Sequence, residues 1–412
     1  MGGFLERIRA APDDDTPRLV YADYLDDTDD PARAEFIRVQ IALTRVSRFD
    51  PVRPALVALE RALLDQHASR WTAHLRGRAS GPVFRRGLIE EVKVTARQFL
   101  ACGAELFAAD PIRHVHLLDL GDYPEALHSP LLGRLTGLTV FAQWLGERSV
   151  REGLLARAAA ESPHLGSLKS LHLGRNRLGD AGVGWLADAP HLAGLEDLDL
   201  SENELTDGAA WVLAGCPRFA RLRRLELAGN SLSADGAAAL AGSGYLARCD
   251  RLGLRGNALH RRPTGAGLGG LTRFACLDVS DTRLGPAGLT DLLAGANPRV
   301  RELDLSATDL GDAGAVVLAE SPAVGDLRAL HLQSNRIGDA GLAALARSPH
   351  LTRLRELDVT HNPVGTLGLR AVLRPGALPA LKVLAYPRLG VSFRVRQALE
   401  ARFGPPTDQP AV

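Results

Sequence analysis

Residues 195–205 read LEDLDLSENEL, and that phrase decides how the chain folds. Leu198 and Leu200 alternate with polar residues, so a short strand would turn both leucines to one side and Asp197, Asp199 and Ser201 to the other. Asn203 then falls where the chain must turn, and Leu205 is the next apolar anchor. The phrase recurs: LKSLHLGRN ends at Asn176, LRRLELAGN at Asn230, LGLRGN at Asn257, LHLQSN at Asn335 and LDVTHN at Asn362. Thr fills the same slot in CLDVSDT (Thr282) and ELDLSAT (Thr308). Successive steps are 27, 27 and 27 residues as far as Asn257, then 25, 26, 27 and 27. Of the seven asparagines only Asn297 lies outside the pattern. At each turn an amide can satisfy backbone groups of the turn and of the next coil, which a threonine hydroxyl can do only in part.

The second half of each unit reads GDAGVGWLA (179–187), GDAGAVVLAES (311–321) or GDAGLAALARS (338–348). Asp180, Asp312 and Asp339 are expected as helix N-caps, Pro286 suits a first helical turn, and Leu186, Leu318 and Leu345 should face inward. Apolar residues staple each turn: Leu178, Leu205, Leu232, Leu259, Leu284, Leu310, Ile337 and Val364. Over residues 165 to 392 this pattern resembles the ribonuclease-inhibitor-like class of leucine-rich repeats. The resemblance implies an α/β solenoid bent into an arc, with parallel strands on the concave face and helices on the convex face. It implies little about function.

Toward both ends the pattern decays. LIEEVKV (88–94), IRHVHLLDL (112–120) and LTGLTVFAQ (135–143) keep the strand rhythm without the Asn, and ARQFLACGAELFAAD and SVREGLLARAAAES supply helices. Residues 81–160 are therefore expected to be degenerate repeats and 161–391 regular ones, eleven to twelve coils in all. LKVLAYPRLGV (381–391) offers a last strand, and 392–412 a capping amphipathic helix followed by the tail PPTDQPAV.

Ahead of the repeats lies an all-α head. Residues 1–48 read as three helices, GFLERIRAA from the spacing of Phe4, Leu5 and Ile8, and PRLVYADYLDD and PARAEFIRVQIALTRV with Asp and Pro marking their starts, and 49–80 hold a helical connector. FLERIRAAPDDDTPRLVYADYLDD (4–27) and DPARAEFIRVQIAL (30–43) resemble the repeat-companion domain of planctomycete and myxobacterial proteins. The likeness continues through Leu63, Leu64, His67 and Trp71 into FRRG (84–87), while Tyr24 stands where that family has Trp. The resemblance implies layout and lineage but carries no activity.

Composition narrows the classes. The 412 residues carry 49 basic and 48 acidic side chains, a net charge of +1, which argues against a nucleic-acid binder that works by bulk charge. With 46% hydrophobic and 24% charged residues the chain matches a globular protein. No apolar run approaches the ~18 residues of a membrane span, and no secretory leader is expected at the N-terminus. Cys102, Cys216, Cys249 and Cys276 lie far apart without CxxC pairing, so they read as reduced, mostly buried thiols of a cytoplasmic protein. Lys occurs only at 93, 169 and 382, which together with abundant Ala and Gly suggests a GC-rich bacterial genome. A monomer is expected.

No catalytic constellation emerges: there is no GxxxxGK[ST], HExxH or GxSxG. Asp13, Asp14, Asp15, Asp23, Asp26, Asp27, Asp29 and Asp30 are dense enough for a hard cation but form no calcium-loop pattern, so helix capping is the expected role. GAGLGG (265–270) reads as an irregular connection where a helix is missing. Arg85 and Arg86 read as a solvated or ion-paired patch. His114 and His116 share a strand face and would need a third ligand for zinc. They, His172 and His331 are expected to be surface residues. No cofactor and no metal are expected.

What remains is the outward face of the strands. Its positions are Ser170/His172/Gly174, Asp197/Asp199/Ser201, Arg224/Glu226/Ala228, Arg251/Gly253/Arg255, Cys276/Asp278/Ser280, Glu302/Asp304/Ser306, Ala329/His331/Gln333 and Glu356/Asp358/Thr360. Eight acids stand there against three bases, a net of −5 on a nearly neutral chain. Strands ~4.8 Å apart would align them into a negative strip suited to a basic protein partner, although no aromatic anchor lies on it. The leading expectation is a non-enzymatic scaffold that binds another protein there, without nucleic acid or membrane. The alternatives are a regulator of another enzyme, of the nuclease-inhibitor or small-GTPase-activator type with Arg175 and Asn176 as nominal rim residues, and an uncharacterised hydrolase.

Overall fold

In a computed structural model of the protein, residues 2–28, 30–47, 50–120, 123–141, 154–261, 267–295 and 298–404 are described. Asp29, Asn297, the first residues of SVREGLLARAAAES and of GAGLGG, and the PPTDQPAV tail lie outside them. Two compact units divide the chain: 1–150 with 161–172, and 151–160 with 173–412.

The first unit opens with four helices, α1 (Gly2–Ala10), α2 (Thr16–Asp27), α3 (Pro31–Arg45) and α4 (Arg53–Trp71). Proline stands in the first turn of α2, α3 and α4, where its missing N–H costs nothing, and Asp30 caps α3 by accepting from the Arg33 N–H at 3.2 Å. Leu5, Ile8, Tyr21, Leu25, Ile37 and Ile41 form one core, and Phe36, Val39, Leu63 and Trp71 a second. Arg33 lies buried over the rings of Trp71 and Phe84, and desolvation brings its pKa down to about 10. The head acids serve structure: Asp23 and Asp26 pair with Arg38, and Asp15 with Arg45.

The strands follow: β1 (Ser80–Arg85), β2 (Leu88–Thr95), then α5 (Ala96–Ala109), β3 (His114–Leu118), β4 (Gly137–Phe141) and β5 (Ser170–His172). β2 to β5 run parallel in chain order, whereas β1 pairs antiparallel with β2 through a tight turn at Arg86 and Gly87. That hairpin strand was not expected. Gly87 has φ +83° and a β-carbon there would strike Ile37, so only glycine lets α3 approach the hairpin. Gln40 of α3 fixes the approach by accepting from the Gly87 N–H at 2.6 Å. Arg85 pairs with Glu91, and Arg86 lies 3.5 Å from Asp13.

The second unit alternates short strands and helices: α6 (Leu154–Glu161, all but its last residue), β6 (Asp197–Asp199), β7 (Arg224–Glu226), β8 (Arg251–Gly253), β9 (Cys276–Asp278), β10 (Glu302–Asp304), β11 (Ala329–His331), β12 (Glu356–Asp358) and β13 (Val383–Ala385). These strands are parallel and in register. The helices are α7 (Gly179–Asp188), α8 (Asp207–Gly215), α9 (Ala234–Gly242), α10 (Gly285–Leu293), α11 (Gly311–Glu320), α12 (Asp339–Ala346), α13 (Thr366–Val372) and α14 (Phe393–Phe403). Among the described residues no α-helix joins β8 to β9. Leu198, Leu225, Leu252, Leu303, Leu330 and their partners two residues on are 0% exposed.

Two side-chain ladders tie successive coils together. Asn203 Oδ1 accepts from the N–H groups of Asn176 (2.9 Å) and Leu178 (3.3 Å), and its Nδ2 donates to the carbonyls of Leu173 and Ser201. Asn230, Asn257, Asn335 and Asn362 repeat the arrangement with the turn before each. The bonds thus reach back to the preceding coil, not on to the next. Thr282 and Thr308 donate to Val279 and Leu305 of their own coils.

The second ladder revises the capping roles given to Asp180, Asp312 and Asp339. None caps its own helix; α7, α11 and α12 begin after Leu178, Leu310 and Gly338. Asp312 instead accepts from the N–H groups of Gly338 and Gly341, Asp339 from Gly365 and Gly368, and Asp180 from Thr206. Each carboxylate sits in the first turn of one helix, at the N-terminus of the next, where unsatisfied donors and the helix dipole favour an anion. β-Carbons at Gly341 and Gly368 would collide with those carboxylates, which explains glycine at these two positions, whereas one at Gly314 would strike Leu310.

Candidate functional site: the strand face

In-register pairing places one outward residue of each strand in a row: Asp199, Glu226, Gly253, Asp278, Asp304, His331 and Asp358. A parallel row holds Asp197, Arg224, Arg251, Cys276, Glu302, Ala329 and Glu356. The two rows differ in charge balance. In the second, Arg224 lies 4.0 Å from Asp197 and 3.1 Å from Glu226, and Arg251 lies 3.3 Å from Glu302, so guanidinium groups offset much of the acid.

The first row stays acidic and repels itself. Burial pushes the Glu226 carboxyl above its ordinary pKa; Arg224 pulls it back, and the charges of Asp199 and Asp278 push it further up. Burial likewise raises Asp278, bonds from Ser280 oppose the shift, Asp304 adds to it, and Arg255 draws it down. Each aspartate also does local work, accepting from the backbone N–H two residues on: Asp199 from Ser201, Asp278 from Ser280, Asp304 from Ser306 and Asp358 from Thr360, at 2.8–2.9 Å. One carboxylate oxygen therefore closes the strand-to-turn bend, as in an Asx-turn.

Gly253 interrupts the row. A β-carbon there would overlap the Glu226 carboxylate, which lies across the glycine. A recess of about 280 Å³ opens beside it, lined by Glu226, Asp278, Glu302, Asp304 and His331, with Arg224 and Arg251 at its side. Cys276 lies in its wall; it and Gly253 were read from sequence as outward positions but given no part in the contact, although the phrase LGLRGN shows glycine replacing an outward side chain.

Glu356 and Asp358 depart from the expected ribbon. They are 6% and 3% exposed, and Asp358 accepts from Gln333 Nε2 at 2.6 Å as well as from Thr360. Arg255 is exposed near Asp278. Arg175 is tied to Glu202 at 2.7 Å, and Asn176 is held inside its turn, its amide donating to Leu173.

On the first unit's strands the histidines are not simple surface groups. His114 and His116 stack at 4.8 Å, His114 Nε2 bonds Thr139 Oγ1 at 2.8 Å, and His172 bonds Ser170 at 2.9 Å. Burial, aided by the neighbouring charge of His116, drives His114 down to about 4. The His116 bond at 2.6 Å holds Glu91 down near 2. Among the described residues no group of three or more His, Cys, Asp or Glu has a metal-holding arrangement. The four cysteines are free; Cys216 and Cys249 are buried, Cys102 and Cys276 partly so, and burial drives Cys249 up to about 12.

A leucine-rich-repeat family model matches residues 164–187, 222–241, 296–319, 326–346 and 350–373. The fold is a leucine-rich-repeat solenoid with a helical N-terminal region. A solved internalin from Listeria monocytogenes aligns over 78% of this chain and 94% of its own, at 14% identity and a TM-score of 0.37. No curated protein matches the sequence. Leucine-rich-repeat proteins generally serve as scaffolds for protein interaction, typically without catalysis. No helix among the described residues is long and apolar enough to cross a membrane.

Proposed function

We propose that the strand face of the second unit docks a protein partner by receiving its arginine or lysine side chains over Glu226, Asp278 and Asp304. The observation that carries this reading is the mutual repulsion in the row: Glu226 and Asp278 each feel neighbouring acids, and Arg224 engages only one end. A cation entering the recess beside Gly253 relieves that repulsion and meets carboxylate oxygens left free by the turn bonds. Preorganised parallel strands reduce the entropy lost on docking. Arg251, Arg255, Glu302 and His331 border the contact, Asp197 and Asp199 extend it, and the buried Glu356 and Asp358 shape its far end.

A fluorescent hexa-arginine peptide tests the reading. It should bind the full chain in a salt-sensitive manner, and Asp278→Asn with Asp304→Asn should weaken it about tenfold, the loss of roughly one charge-assisted contact. Asp326→Asn, an exposed acid away from the row that pairs with Arg353, should leave binding unchanged. Equal losses in both variants would reduce the effect to bulk charge and remove the reading.

A further inference from the structure

A second cavity, of about 410 Å³ and wholly within the first unit, has the opposite electrostatics. Four of its ten lining residues are arginines (Arg9, Arg18, Arg113 and Arg134), and none is acidic. Such a concentration is unusual in a chain with a net charge of +1. We infer that this cavity binds a small organic phosphate, its anionic group held by the guanidinium groups of Arg9, Arg113 and Arg134 above the buried Arg18, and its apolar body against Ile8, Phe107 and Ile112.

The arginines are held in place before any ligand arrives. Arg18 is 0% exposed, and its guanidinium donates to the carbonyls of Pro12 (2.8 Å) and Asp14 (3.2 Å) and to Glu90 (2.5 Å). Its Nε is buried without a hydrogen-bond partner, a donor left over in the wall of a polar cavity. Arg9 is anchored through Nη2 to the carbonyls of Phe107 (2.7 Å) and Ala108 (3.0 Å), which orient the group without cancelling its charge. Arg113 meets Asp13 at 3.2 Å, but that carboxylate is largely exposed and is shared with Arg86. Arg134 makes no ion pair among the described residues; its guanidinium lies 5.9 Å from the Phe107 ring.

Glu90 and Asp13 stand against four guanidinium groups, and Asp110, bonded to His74 at 2.6 Å, also feels the charge of Arg9. The balance stays positive and favours an anion. Guanidinium forks suit the oxygens of a phosphate, which accept from several donors at once, better than a lone carboxylate. The volume exceeds what a bare ion needs and falls within the range of small-molecule sites, which is why the ligand has an organic body.

Calorimetric titration of the full chain with phenyl phosphate and with inorganic phosphate decides the matter. Phenyl phosphate should bind saturably and more tightly than inorganic phosphate. Arg134→Gln should weaken it about tenfold at unchanged melting temperature, because Arg134 holds no other element in place. Arg113→Gln should weaken it similarly. The inference is overturned if phenyl phosphate shows no saturable binding, if both variants bind like wild type, or if inorganic phosphate binds equally well.

Discussion

Removing one rung of the asparagine ladder exposes how much of the repeat array depends on it. In Asn203→Ala, the N–H groups of Asn176 and Leu178 lose their acceptor, and both the turn and Asn203 itself are buried. The carbonyl of Leu173 is less affected, because the Asn176 amide still donates to it at 2.8 Å. Each buried donor left without a partner costs about 1–3 kcal/mol, so with the small cavity the variant should lose roughly 3–5 kcal/mol. Asn203→Thr should recover only about 1 kcal/mol, since a hydroxyl placed as in Thr308 donates to its own coil's carbonyl and leaves both N–H groups unserved. Urea unfolding measures the loss, and hydrogen exchange should show faster exchange at the amides of Asn176 and Leu178. A loss below about 1 kcal/mol with unchanged protection at those amides would refute the reasoning.

Other outcomes follow from the same geometry. His114, whose folded pKa of about 4 lies below the ordinary 6.5, is kept neutral by burial, so its contribution is fully present above pH 6.5 and is lost as pH falls toward 4. That loss should not exceed about 3 kcal/mol, and a chemical-denaturation series across this window should flatten in His114→Gln. Glu91, held near 2 chiefly by His116, contributes stability above about pH 4.5 that disappears only as pH falls toward 2, so the two effects separate along the pH axis. Asp339→Ala should cost about 1–2 kcal/mol in urea unfolding, because it strips the Gly365 and Gly368 N–H groups of their acceptor, and hexa-arginine binding should persist. Gly253→Leu should displace Glu226 and fill the recess, abolishing hexa-arginine capture while far-ultraviolet circular dichroism stays that of the folded chain.

The strand rhythm was legible because leucine alternation and the Asn spacing are local and repeated, and β5 to β12 lie where those phrases fall. The head helices were legible for the same reason, through Asp–Pro start signals. Relations between coils were harder to read. Asp312 and Asp339 look like caps of the helices they open, and only the coil-to-coil stacking places them under the next helix's N-terminus. β1 escaped notice because its pairing is set by the Arg86–Gly87 turn and by the fit of Gly87 against Ile37, not by periodicity. The outward acids were countable from sequence, but their inequality was not. Burial of Glu356 and Asp358, the Arg224 and Arg251 pairs and the gap at Gly253 all depend on neighbouring strands. The cavity arginines lie as far apart in sequence as Arg9 and Arg134, so no local pattern could have joined them.

Carbon-detected NMR titration of the Glu226 and Asp278 carboxyl groups, with and without saturating hexa-arginine, tests the docking face most directly. In the free chain both should titrate above their ordinary values. With peptide bound, both should fall, because guanidinium groups beside them favour the charged form. Carboxyl pKa values that stay the same when the peptide binds would contradict the account.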